Sequence, residues 1–402
     1  MAIFDRNDPF QTLDFERNIV NPYLTEYRNN TIFDRFTGKT ADSPIFVKTG
    51  GTGSGDTIVY NQRQNFAPTI KLDQAQLIMN EDSLTFGVER LIIGEFRFGV
   101  KITDKLLQEL QINHKFDPEL KADLLAKGEY RKTQRMMQQF GLAFSEANRG
   151  APNAAVTYVE LIAKIIACGI DALAAGEAVS NSRLMFGKDK RAAEATVGAV
   201  VTNAVMPAAA GVNQLTVDHI FRLADLAQKG SRTAVVNKEA AIKPYMTKQN
   251  RLGYADRRYL LLTSSDAYAD LAKDPAWASQ MSRGTVETEE QPSLLFGSNY
   301  KGTVHGVMVV TIPEFSNYTF ANDGVNFAYS AFLGCSAIAM GIGQKPLLRY
   351  DDFDYKMHQG LAHIEISDAK VLKFPSKGDL AQKGVNPLRV ENGMIHSFVR
   401  LS

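Results

Sequence analysis

Apolar and polar residues alternate most regularly between positions 45 and 102, and the rest of the chain can be laid out around that stretch. An apolar run, Ile45, Phe46 and Val47, breaks at Gly50-Gly51-Thr52-Gly53-Ser54-Gly55 and resumes as Thr57-Ile58-Val59-Tyr60. Two alternating runs come later. In the first, Leu84, Phe86 and Val88 share a face opposite Thr85, Gly87 and Glu89. In the second, Phe96, Phe98, Val100 and Ile102 oppose Glu95, Arg97, Gly99 and Lys101. A period of two over this length predicts strands. Residues 61–83 between them are too polar to build a core of their own, so the pattern predicts two strand regions carrying a projecting loop.

Ahead of this stretch, residues 1–44 mix charges of both signs, asparagine breaks and aromatics (Phe10, Phe15, Tyr23, Tyr27, Phe33, Phe36) without a stable period. A disordered tail avoids so many aromatics. The mixture predicts a partly helical arm that lays its aromatics on another surface. After it, the period changes from strand to helix. Thr103 can cap a short helix to Leu110, and Asp117-Pro118-Glu119 then supplies a capping carboxylate, a first-turn proline and an acid. The predicted helix runs to Phe140; about 22 residues at 1.5 Å each make a rod of roughly 33 Å. Its apolar stripe (Leu120, Leu124, Met136, Met137, Phe140) is interrupted by Gly128, and its middle is basic, with Lys127, Arg131, Lys132 and Arg135 against Glu129.

A breaker cluster at Asn148-Arg149-Gly150-Ala151-Pro152-Asn153 marks a boundary. Beyond it the pattern predicts a buried helix over 158–179, a short strand over 183–187, an Ala-rich stretch over 188–213 and a helix over 216–230. A strand over 259–263 leads through Ser264-Ser265-Asp266 into a helix over 267–272, followed by Asp274-Pro275-Ala276-Trp277. Residues 285–291 form an acidic loop, and 304–312 read as a strand buried on both faces. Residues 328–342 fit a central strand or a buried helix, and 353–366 and 369–374 read as late strands.

Composition adds limits to this layout. The chain has 402 residues, 45% hydrophobic and 22% charged, which is enough for two or three domains with a sizeable core. A net charge of +1 removes any global electrostatic case for nucleic acid or membrane. The apolar segments 158–175 and 331–342 carry charges or are too short for a span of about 20 residues, and no secretory leader is expected. Cys168 and Cys335 lie in apolar runs and are expected buried and reduced. Basic residues are in excess over 183–258 and acids over 266–290, which fits either a solvated face or complementary surfaces between copies.

Tests for catalytic and ligand chemistry mostly fail. The glycine cluster has phosphate-loop spacing, but Asp56 stands where that loop needs lysine, and the cluster leads into a strand instead of a helix N-terminus. His114, His219, His305, His358, His363 and His396 show no zinc-binding spacing. Asp351-Asp352-Phe353-Asp354 lacks the glycine and distal glutamate of a calcium loop, and no nucleophile-elbow motif appears. The basic residues of the long helix can neutralise phosphates, or simply face solvent. No cofactor and no metal site are expected.

Several ordered segments carry a resemblance across most of the chain. They are Gly55-Asp56-Thr57-Ile58, Asn80-Glu81-Asp82-Ser83-Leu84, Ser182-Arg183-Leu184-Met185-Phe186-Gly187, and Tyr259-Leu260-Leu261 with Trp277. Further on come Leu295-Phe296-Gly297, Gly306-Val307-Met308-Val309, Ala331-Phe332-Leu333-Gly334-Cys335-Ser336-Ala337 up to Gly343, and Phe353-Asp354-Tyr355 up to Gly360. In these the chain resembles the major capsid protein family of N-four-like podoviruses (schitoviruses), which has the HK97-like capsid fold. The resemblance implies an α+β fold divided into an N-terminal arm (1–44), an extended E-loop with flanking strands (45–102), a long spine helix with peripheral domain (103–187), an axial domain (188–345) and a return to the peripheral domain with a C-terminal tail (346–402).

It also implies a function: the major capsid protein of a tailed double-stranded DNA phage, without enzymatic activity, self-assembling into an icosahedral head. The implied partners are other copies in hexamers and pentamers, a portal, scaffolding or decoration proteins, and packaged DNA held by weak non-specific contact, with no membrane. The implied location is the virion, assembled in the host cytoplasm. Asn61, Arg63, Phe66, Lys71 and Asp73 would contact neighbouring subunits, and Lys127, Arg131, Lys132 and Arg135 would be candidates to face DNA. Two other readings stay open: a soluble enzyme whose site gathers His305, Asp266 and Glu314, and a nucleic-acid-binding module using the basic central segment.

Overall fold

The computed structural model describes residues 21–28, 31–50, 57–63, 86–102, 118–142, 161, 164–165, 178–179, 183–187, 190–191, 214–229, 241–249, 255–282, 297–317, 319–322, 325–353, 358–375, 388–391 and 393–402. Among them the architecture is α+β. A nine-stranded sheet has the path Tyr300–Val304, Val307–Thr311, Ala255–Thr263, Val325–Leu333, Met394–Arg400, Leu184–Phe186 and Lys190–Arg191, with Thr319–Asn322 and Tyr245–Gln249 paired off it. A five-stranded sheet runs Thr37–Gly38, Ile45–Thr49, Ile338–Phe353, His358–Val371 and Glu95–Ile102. A smaller sheet joins Lys373–Pro375, Leu388–Glu391 and Ala178–Val179, and Thr57–Arg63 pairs with Phe86–Ile92 as a two-stranded hairpin.

The nine-stranded sheet is covered on both faces, which is why its strands read as continuous apolar runs. Leu260, Leu262, Met308 and Val310 face a core shared with the long helix Pro118–Gln139, which contributes Met136 and Met137, with Phe140 just past its end. Tyr259, Leu261, Val307 and Val309 face the opposite core, closed by helix Val217–Lys229 (Ile220, Leu223, Ala227), helix Ser265–Lys273 (Ala267, Leu271) and Trp277. Ser264 caps the second of these helices, its Oγ accepting from the Ala267 amide at 3.1 Å as its sequence position predicts.

The first core also holds Ile45, Ile338, Ala369 and Val371 of the five-stranded sheet, so the long helix ties the two sheets together. The interruption of its stripe at Gly128 has a packing cause. A Cβ there would lie 2.5 Å from the Tyr27 ring of helix Asn21–Arg28.

Several expectations change. The aromatics of the arm pack on the chain's own body: Tyr23, Tyr27, Phe33 and Phe36 are buried, while residues 1–20 lie outside the described residues. Ala178–Val179 is strand, which cuts short the helix expected over 158–179; of that helix only 161 and 164–165 are described. The strand expected over 304–312 is two, because the chain reverses at His305 (φ 50°) and Gly306 (φ 73°), a pair of left-handed residues suited to a tight hairpin.

Residues 328–342 resolve into two strands, of which Ile338–Phe353 runs up to the position where the next was expected to start. The C-terminal strand Met394–Arg400 lies in the middle of the nine-stranded sheet, next to Val325–Leu333 and Leu184–Phe186. The expected domain limits at 187 and 345 therefore cut across one continuous sheet. The short helix expected over 103–110 and the acidic loop 285–291 fall outside the described residues.

Phe140 sits where the long helix meets the nine-stranded sheet, with ring centroids 5.5 Å from Phe315 and 6.1 Å from Phe33. Phe140→Ala should cost about 3–5 kcal/mol, read as a lower denaturant midpoint of the unassembled subunit. A loss below about 1 kcal/mol would mean that this joint is not part of the cooperative core.

Candidate assembly surface

The projecting element is the hairpin of Thr57–Arg63 and Phe86–Ile92. Its register opposes Ile58 to Leu91, Val59 to Arg90 and Tyr60 to Glu89, so each pair shares a face. Ile58, Tyr60, Glu89 and Leu91 are buried, and with Ile93 the apolar ones pack over Ala339, Leu372 and Phe374 of the body. The alternation in the sequence does not say which face of this strand is buried; it is the one that carries Glu89. Glu89 turns inward because Lys370 Nζ waits there, 3.5 Å from its Oε2.

The docking depends on a missing side chain. On strand Ile338–Phe353 a Cβ at Gly341 would come within 2.8–2.9 Å of Ile93, Ile58 and Leu91, and one at Gly343 within 2.6 Å of Ile93. The hairpin thus lies in a groove made by two glycines. Tyr60 fastens it further by donating its hydroxyl to the Met340 carbonyl at 2.7 Å. Burial pushes the Tyr60 hydroxyl up to about 12, so it stays a donor across the ordinary pH range.

The opposite face is open. Val59 is 42% exposed and Ile92 61% exposed, beside the exposed Asn61 and Arg90. Val59 and Ile92 are both large apolar side chains on one hairpin face.

A second feature lies under the long helix. Helix Asn21–Arg28 sends Tyr23 Oη to within 3.2 Å of His363 Nδ1, and Tyr27 donates to Glu365 Oε2 at 2.9 Å. Ser367 donates to Glu365 Oε1, and Arg135 donates to Ser367 at 2.6 Å. His363 is fully buried, stacked at 4.5 Å on Phe98, and its Nε2 lies 3.6 Å from Glu365 Oε2, an ion-pair distance beyond a hydrogen bond. Burial alone would raise the Glu365 carboxyl. The surrounding donors and Arg135 outweigh it and hold the group at about 2. Burial and the Glu365 charge raise Tyr23 and Tyr27, which keeps both hydroxyls protonated.

The sequence-predicted positions divide unevenly. Asn61 and Arg63 belong to the hairpin strand and not to the loop, while Phe66, Lys71 and Asp73 lie outside the described residues. Lys127 and Arg131 are exposed on the long helix. Lys132 is engaged inside the chain, 3.1 Å from Asp34 and 3.9 Å from the centre of the Tyr27 ring, and donates to the Tyr27 carbonyl; burial lowers its pKa. Arg135 likewise lies over Phe96 and bonds Ser367.

The residues of the enzyme reading are not brought together. His305 is at one end of strand Val307–Thr311 and Glu314 beyond the other, with roughly 13 Å of strand between them. Asp266 is exposed on its own helix. Among the described residues, no three His, Cys, Asp or Glu side chains gather as a metal site, and no helix is long and apolar enough to cross a membrane. Cys335 is buried and in no disulfide among the described residues, its Sγ donating to the Pro244 carbonyl at 2.9 Å, and Cys168 lies outside the described residues.

No family model matches the chain, and no curated protein matches it. Solved structures do. The capsid of Ralstonia phage GP4 is similar with a TM-score of 0.59 at 15% identity, covering 92% of this chain and 91% of that one. The capsid asymmetric unit of cyanophage Pam1 gives 0.57 at 14%, covering 92% of each chain. The acid-stable capsid of Helicobacter pylori bacteriophage KHP30 gives 0.57 at 11%, covering 91% and 90%. The chain has the fold of these phage capsid proteins, over nearly its full length.

Two variants probe the geometry. Gly341→Val should unseat the hairpin while the nine-stranded sheet stays folded, so limited proteolysis should cut within 57–92 while Trp277 emission is unchanged. Unchanged resistance to cleavage would mean that the glycines do not form the seat. Glu365 is lowered from 4.5 to about 2, so its contribution is complete above about 4.5 and is lost as the pH falls towards 2. Glu365→Gln should therefore flatten the acid limb of stability against pH in that window and cost about 1–3 kcal/mol at neutral pH. An acid limb identical to wild type would place the titration elsewhere.

Proposed function

We propose that this chain is the major capsid protein of a tailed double-stranded DNA phage and builds the icosahedral head around the genome. The observation that carries the reading is the match to phage capsid structures over about nine-tenths of both chains, which leaves little of this chain for any other activity. The schitovirus resemblance of the sequence is the finer form of the same reading. On it, the hairpin with residues 64–85 is the E-loop, Pro118–Gln139 the spine helix of the peripheral domain with the five-stranded sheet, and the nine-stranded sheet the axial domain.

The partners follow from that role: copies of this chain in hexamers and pentamers, a portal, scaffolding or decoration proteins, and packaged DNA. The contact surface is the open hairpin face with Val59 and Ile92 and the segment beyond it. Of the four candidate cations, Lys127 and Arg131 are the exposed ones that would meet DNA, whereas Lys132 and Arg135 are turned onto Asp34 and Ser367 of the body. Assembly takes place in the host cytoplasm before the shell becomes part of the virion.

Light scattering on the purified protein tests this reading. Wild type should form pentamers, hexamers or closed shells in assembly-favouring salt. Ile92→Glu and Val59→Glu, both on an exposed face, should keep the subunit fold and prevent shell closure. A wild-type protein that remains a single copy at high concentration contradicts the reading.

A further inference from the structure

We infer that Lys48 and Lys370 are a matched pair of positioning residues that fix the direction of the hairpin and close its base against strand addition. This rests on the proposed assembly role. Among the described residues the hairpin is a two-stranded sheet, so both of its strands are edge strands there, the kind that recruit a further strand unless something blocks them.

At its base, Val59 and Arg90 face each other across the pair. Each of their carbonyls accepts a lysine: Lys48 Nζ lies 2.9 Å from the Val59 oxygen and Lys370 Nζ 3.0 Å from the Arg90 oxygen. The two lysines come from the strands on either side of the glycine-bearing strand. Lys48 is paired in register with Gly341 and Lys370 with Ala339. The hairpin therefore straddles its groove with one ammonium reaching up from each side. A single anchor would let it pivot about its long axis, whereas anchors on opposed residues of both strands do not.

Neither lysine is an ordinary solvated side chain. Lys48 Nζ lies 4.8 Å from the Tyr60 ring centre, and the Lys370 side chain is only 9% exposed, against Glu89 at 4%. Burying an ion pair is costly, and apolar residues of similar volume fill such places at least as well. What an ammonium supplies and a methyl group does not is a directed N–H to a chosen carbonyl. With those carbonyls taken, a neighbouring copy meets the base of the hairpin on its open side-chain face and not by extending its ladder.

The test uses Lys48→Met, the double variant Glu89→Gln with Lys370→Met, which leaves no unpaired charge buried, and the combined triple. Hydrogen exchange is measured on the unassembled subunit, and particles are imaged after assembly. Exchange over 57–63 and 86–92 should speed up about tenfold or more in the triple variant, with 255–263 and 394–400 unchanged. Its assembly should give irregular or aggregated particles in place of shells. Hairpin exchange within about twofold of wild type overturns the clamp, and faster exchange with normally closed shells overturns its role in assembly. Failure of wild type to assemble would instead overturn the capsid reading, while the exchange result still decides the clamp.

Discussion

At Gly341 and Gly343 the central strand of the five-stranded sheet has no side chains, and Ile58, Leu91 and Ile93 of the hairpin occupy the space. The seat of the hairpin on the body depends on that close approach. The same strand, Ile338–Phe353, pairs in parallel with Ile45–Thr49 and antiparallel with His358–Val371, and through Ile338 it joins the core under the long helix. One strand thus links the projecting element, the N-terminal region and the rigid body. Force applied to the hairpin is delivered to a packed sheet and not to a loop.

The interior between the long helix and this sheet is unusually polar. Tyr23, Tyr27, His363, Glu365, Ser367 and Arg135 bond one another where apolar residues would pack with less desolvation cost. What the arrangement supplies is direction: helix Asn21–Arg28 docks with each of its two tyrosines on one particular polar partner, Tyr23 on His363 and Tyr27 on Glu365. Lys132 adds a third point by bridging Asp34 to the same helix end. The N-terminal region is held to the body by geometry as much as by apolar area.

Legibility in the sequence followed the strength of the local signal. The long helix was readable because Asp117-Pro118-Glu119 and a run of helix formers agree, and helix Val217–Lys229 because its apolar pattern is clear. Which face of the hairpin is buried was not readable, because nothing marks Glu89 as an inward residue until Lys370, hundreds of positions later, is placed beneath it. The His305-Gly306 reversal was hidden inside an apolar run, and the C-terminal strand's place beside Leu184–Phe186 is a long-range pairing that no local pattern encodes. The same holds for the proposed assembly surface. Val59 read as one residue of an apolar run and Ile92 lay between the two alternating runs, and only the inward turn of their neighbours leaves them outside. Gly341-Ile342-Gly343 was the one available hint, since paired glycines in a strand mark a close approach.

On the proposed reading, the hairpin's open face is an inter-subunit contact in a closed shell. Electron cryomicroscopy of particles assembled from the purified protein shows whether it is. Icosahedral shells are expected in which Val59 and Ile92 are covered by another copy while Lys48 and Lys370 keep their carbonyl contacts within the subunit. Shells in which that face lies open to solvent, or in which the hairpin base adds as a strand to a neighbour's sheet, would contradict it.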